Sequence, residues 1–179
     1  MYWLGHLGIT AGLAFTSQKV FARPVPEAEA KQSAWMPDFR IIFIGVLTPD
    51  LIDKPIAYLF FDTTRLFAHS LFFYLLILMI GSVLFKRARP GVLMFVAAAL
   101  IHLIEDQMWK QSKVLFWPFT GIGFSPTEQQ GVGERVSSLL SQNYLLVPEI
   151  VGGTILIALM WRITTQKSWS KFFNTGKVD

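Results

Sequence analysis

The sequence predicts an all-α protein: an integral-membrane helical bundle of about four to five segments, one of them broken or re-entrant. Three observations carry this. Hydrophobic residues make up 53% of the 179 and charged residues only 16%, and mean hydropathy is +0.45, whereas about a quarter of a soluble domain is charged. Apolar runs approaching the roughly 20 residues that cross a bilayer recur along the chain. Basic residues also collect between those runs unevenly, as they do in cytoplasmic loops. The length suits a single domain, residues 1–179.

From the N-terminus, Trp3–Lys19 is a glycine-rich and weaker candidate span, followed by a charged, proline-bearing linker, Lys19–Gln32. Ile41–Phe61 contains TPDLIDKP, and its two prolines, Pro49 and Pro55, predict a break or partial re-entry. Irregular backbone at that depth is tolerated where it is buried or lines a wet cavity. Leu66–Phe85 is the clearest span, twenty residues that would rise about 30 Å. Another runs from Gly91 to Trp109, and the last from Tyr144 to Trp161, with Pro148 and Glu149 near its start. Gln111–Asn143 is a long connection. Its Trp117, Phe119 and Phe124 suit an interfacial belt, and VSSLLSQNYLL a short amphipathic helix, together a plausible lid.

The basic residues orient this layout. Placing Lys86, Arg87 and Arg89 in the cytoplasm puts eleven Lys and Arg inside against five outside, with the C-terminus inside. The net charge of +4 then reflects loops facing anionic membrane lipid, and no nucleic-acid partner is expected. MYWLGHLGIT has no basic stretch before its apolar run, so no cleavable signal peptide is expected. Charge alone sets this orientation, yet it gathers the ionisable groups on one side. His6, His69, His102, Asp106 and Glu149 fall near the outer ends of their spans, and Asp50 and Asp53 in an outer half.

All three histidines thus lie in apolar segments, where ionisable groups are costly and mark functional sites. With no cysteine, a metal would be held by His, Asp and Glu. His102 and Asp106, four apart, share a helical face and can reach one ion; the alternative is a hydrogen bond locking two helices. Asp50, and after it Asp53, point to ligation or to orienting a histidine, against a plain turn-capping role. Arg65 shares a face with His69 and offers a planar fork for phosphate or carboxylate, or it simply snorkels to the interface. Ser70 is available to a neighbouring helix. His6 shares its face with Thr10. Glu149 is a general base, an added ligand, or a helix cap. Glu105 is assigned no role. Glycine-rich nucleotide loops, GxSxG and HExxH are absent from the sequence.

Taken together, GHLGIT, PDLID, RLFAHS and HLIED followed by FWPF resemble, in order and spacing over residues 4–120, the YdjM-like family of LexA-binding, inner-membrane-associated, metal-dependent hydrolases. The resemblance implies a multi-span protein of the inner (cytoplasmic) membrane with a His/Asp metal site, related to zinc-dependent phospholipase C. It supports His6, Asp50, His69, His102 and Asp106 as ligands. That family's aspartate turn reads PD-x-D-H, whereas this chain has PDLIDK, one histidine short of a full second site. The expected activity is metal-dependent hydrolysis of a phosphoester or lipid-like substrate at the outer interface, with one or two divalent ions, zinc foremost. Asp53 or Glu149 would take a proton and Arg65 would steady an anionic group. Two other classes remain open: a metal- or proton-handling membrane protein, and a non-catalytic interaction protein.

Overall fold

The computed structural model describes residues 2–21, 37–61, 63–124 and 131–178. Regular structure among them is entirely helical: α1 (Trp3–Phe21), α2 (Phe39–Phe60), α3 (Leu71–Leu84), α4 (Arg89–Glu105), the single turn α5 (Ser112–Leu115), α6 (Val132–Ser141), α7 (Asn143–Thr165) and α8 (Trp169–Thr175). Short 3-10 turns at Phe67–His69, Lys86–Ala88 and Met108–Gln111 join them.

The expected break in Ile41–Phe61 is not there. Phe39–Phe60 is one helix of 22 residues with Pro49 and Pro55 inside it. A proline removes one hydrogen bond and crowds the carbonyl four residues back, a cost that membrane helices absorb through packing and local adjustment. Here the region around Pro49 is buried, and Gly45 lets α4 approach so closely that a Cβ would stand 2.5 Å from Phe95 O. Unbroken helix matters to the site: Asp50 and Asp53, three apart, emerge on one buried face through helical periodicity rather than a turn.

Leu66–Phe85, conversely, is not one helix. Its regular part, α3, has 14 residues, about 21 Å. The preceding stretch turns through the 3-10 segment because its N–H groups are drawn to Asp53: Leu66, Ala68 and His69 all donate to that carboxylate, at 2.6, 3.0 and 3.1 Å. Ser70 then caps α3, accepting from Phe73 N at 3.2 Å, and itself donates to Phe67 O, so it serves its own turn rather than a neighbouring helix. The Gly91–Trp109 span likewise stops early. α4 ends at Glu105, Asp106 leaves the helical region, and Gln107 adopts φ 53°, which reverses the chain. Within the long connection Gln111–Asn143, α6 is helical over Val132–Ser141, and Asn143 already belongs to α7. The Lys19–Gln32 linker lies largely outside the described residues.

α2 is the centre of the bundle, with α1 and α4 against it, α3 behind α4, and α7 along α1. The α1–α7 contact is made by glycine: a Cβ on Gly8 would collide with Gly152 O, and one on Gly152 would collide with Leu4 O. Small residues at such a crossing let backbones touch. One apolar core joins Tyr74, Val96, Ala99, Leu103 and Met108 between α3, α4 and the chain beyond α4. A second joins Ala11, Phe39, Leu159, Ile163 and Val178, where Phe39 N donates to Gly176 O at 2.8 Å and seats the C-terminal turn on the start of α2.

Two helical stretches are long and apolar enough to cross a membrane, Lys86–Glu105 and Asn143–Thr165; α3 is apolar but shorter. Only 28% and 17% of their apolar windows are buried, which is the reverse of a soluble core helix. Leu75, Met79 and Val83 on α3 and Ile150, Ile157 and Trp161 on α7 face outward, as lipid-facing residues would.

Candidate metal centre

His6 from α1, Asp50 and Asp53 from α2, His69 from the 3-10 turn, and His102, Glu105 and Asp106 from the end of α4 meet in one buried cluster. The five sequence-predicted ligands fall into two overlapping groups able to hold an ion, Asp50–His69–His102 and His6–His102–Asp106. His69 Nε2 lies 3.7 Å from Asp50 Oδ1 and 3.9 Å from Asp106 Oδ2. His102 Nε2 lies 3.9 Å from each of the same two oxygens. His6 stacks on His102 with centroids 4.1 Å apart, its Nε2 being 3.1 Å from Asp106 Oδ1. The two oxygens of Asp106 therefore face the two groups separately.

Second-row carboxylates aim two of the rings. His69 Nδ1 is 2.6 Å from Asp53 Oδ2 and His6 Nδ1 is 2.6 Å from Glu105 Oε2. A carboxylate only accepts, so Nδ1 of each ring carries a proton, and for His69, whose Nε2 has no hydrogen-bond partner, that leaves Nε2 to offer a lone pair inward as a metal ligand must. With three backbone donors and His69 upon it, Asp53 has four donors for about four lone-pair sites. With those sites occupied, Asp53 organises the His69 turn and orients its ring, one of the roles its place in PDLID suggested. Glu149 takes the helix-capping role among its alternatives: its oxygens accept from Tyr2 N at 2.8 Å and Leu4 N at 3.1 Å, at the first turn of α1.

Glu105, given no role from sequence, is the residue missed. Besides His6 it meets Thr10, whose Oγ1 donates to Oε1 at 3.4 Å. The signal was the doublet in HLIED: positions three and four after a histidine both return to its face. Arg65 donates from Nε (3.1 Å) and Nη2 (2.7 Å) to Asp106 Oδ2, and Lys54 donates to Asp50 Oδ2 at 2.5 Å. Arg65 is a quarter exposed and lines a polar pocket with Glu105, Asp106, Lys110 and Tyr144.

Two observations test whether these residues fit a divalent metal. Nε2 of His69 and Nε2 of His102 are buried without a hydrogen-bond partner, a state that native interiors rarely tolerate. The donor chemistry is also right: a tetrahedral zinc with bonds of about 2.0–2.1 Å sets its donors roughly 3.4 Å apart, close to the 3.7–3.9 Å here. The residues fit the group.

Fold and site together define the class: an all-helical protein with a buried His/Asp cluster that could hold a metal ion. The chain belongs to the YdjM inner membrane protein family, whose family model matches residues 1–169. No curated protein and no solved structure matches it.

Proposed function

We propose that this chain is a multi-pass hydrolase that uses a divalent metal, zinc foremost, to cleave a phosphoester of a lipid-like substrate at the outer face of the inner membrane. The observation that carries this is the set of unpartnered Nε2 atoms facing Asp50 and Asp106 beneath a cationic pocket. Bound metal would supply a water of lowered pKa and a Lewis acid for the phosphoryl oxygen. His69 and His102, with Asp50 and Asp106, would hold it, and His6 would complete or extend the site towards a second ion. Asp53 and Glu105 keep the histidines in the ligating tautomer. Arg65 neutralises Asp106 and offers its remaining donors to an anionic group, with Lys110 alongside.

For the membrane arrangement we take α1, α2, α3, α4 and α7 as five crossings, the short α3 completed by the turn before it. This places the cluster outside and the C-terminus in the cytoplasm, in keeping with the bias of basic residues.

The test is metal content of detergent-purified protein by elemental mass spectrometry, wild type beside His102→Ala and Asp106→Asn. Near-stoichiometric transition metal in the wild type, lost from folded variants, is the expected result. Well-folded protein without metal, even after incubation with zinc, manganese or cobalt, sinks the hydrolase reading and leaves a scaffold or relay.

A further inference from the structure

Two spaces of opposite chemistry flank the Thr10–Glu105 hydrogen bond, Glu105 lining one and Thr10 the other. One is the polar pocket of about 480 Å³ holding Arg65 and Lys110. The other is an apolar groove of about 500 Å³ between α1 and α4, floored by Ile42 of α2 and walled by Leu13, Ala14, Leu93, Ala97 and Ile101. Such volumes are those of small-molecule sites. The groove is in register with the metal centre. On α1 the groove residues Thr10, Leu13, Ala14 and Ser17 continue the stripe that begins with His6, and on α4 Met94, Ala97, Ala98 and Ile101 continue to Glu105. The Thr10–Glu105 hydrogen bond is the boundary: one side of it is the ligand cluster, the other is the groove. From Thr10 to Ser17 the groove runs about 10 Å along the helix, ending by Pro37.

We propose that this groove seats one hydrocarbon chain of a phospholipid whose anionic headgroup lies at Arg65 and Lys110, so that the phosphoester is presented to the metal centre. Cleavage of the seated lipid rests on the hydrolytic reading, whereas its binding rests on the groove alone. Past Ser17, a chain entering between α1 and α4 meets apolar walls until Thr10, and the cations lining the pocket that holds Glu105 are Arg65 and Lys110. An apolar stem joined to an anionic head is the occupant that matches both ends. Ala14 and Ala97 hold the groove open, since larger side chains there would fill it.

The test is photolabelling of the full chain in phosphatidylglycerol vesicles carrying a diazirine midway along one acyl chain, with labelled peptides mapped by mass spectrometry. Label on Leu93, Ala97 and Ile101 should saturate as probe is added and be lost in Ala97→Trp, while label on the lipid-facing Leu75 and Met79 of α3 persists. Ala14→Phe blocks the groove from the opposite wall and should give the same loss if Ala97→Trp does not fold, with metal content reporting on folding. Groove label that never saturates, or that survives both substitutions, overturns the proposal. The outcomes separate the two readings: saturable label without phosphoester cleavage keeps the groove and fells the hydrolase, whereas cleavage without saturable label does the reverse.

Discussion

Asp53 shows how much a single carboxylate can settle. Completely buried, it takes three consecutive-turn N–H groups and the His69 ring, and so fixes both the path of the chain and the tautomer of a ligand. Asp53→Asn keeps the size but sets an amide donor against N–H donors. It should lower metal affinity by about 10–100-fold and unfolding free energy by about 1–3 kcal/mol, read from metal titration and denaturant unfolding in detergent. Unchanged affinity would mean that the turn is held by something else. Which residues hold the site was legible at this scale where spacing alone decides, as for His102 and Asp106. For Glu105 the spacing in HLIED marks the face but not the partner, because His6 comes from a helix 99 positions away and one sequence does not say which helices touch.

Two contacts between elements carry consequences of their own. Where α1 crosses α7, a methyl group on Gly152 would collide with Leu4 O, so Gly152→Ala must push the helices apart. A loss of about 1–3 kcal/mol is expected, visible as a lower midpoint in denaturant titration; an unshifted midpoint would show that the crossing yields freely. At the start of α2, Asp38 accepts from the backbone and side chain of Arg40, and that guanidinium, despite partial burial of the carboxylate, holds its pKa below the ordinary 3.8. A carboxylate depressed in the folded state adds stability above its unfolded value and loses it as pH falls through the folded one. Acidification below about pH 4 should therefore loosen the turn where Arg40 also donates to Phe173 O, as hydrogen exchange at Phe39 and Gly176 would report. Element boundaries were the least legible feature. Two prolines argue for a break and lose to burial of α2. An unbroken apolar run argues for a helix and loses to Asp53, which reaches Leu66 from 13 positions upstream.

Considered whole, the molecule has a polar heart at one end of a bundle whose outer faces are apolar. Composition made that legible, since few charges in a hydrophobic chain leave the ionisable groups little choice but to meet. Orientation is open to a direct check: a reporter enzyme fused after α8 that is active only in the cytoplasm should be active, and activity of a periplasmic reporter there would invert the arrangement. Glu149 bears on how the whole comes together. It sits on the last long helix yet caps the first, which carries His6. A chain shortened before α7 would keep His69, His102 and the Glu105 partner of His6, but would lack the carboxylate that caps the helix carrying His6. The seating of the first helix thereby depends on a contact that only α7 supplies.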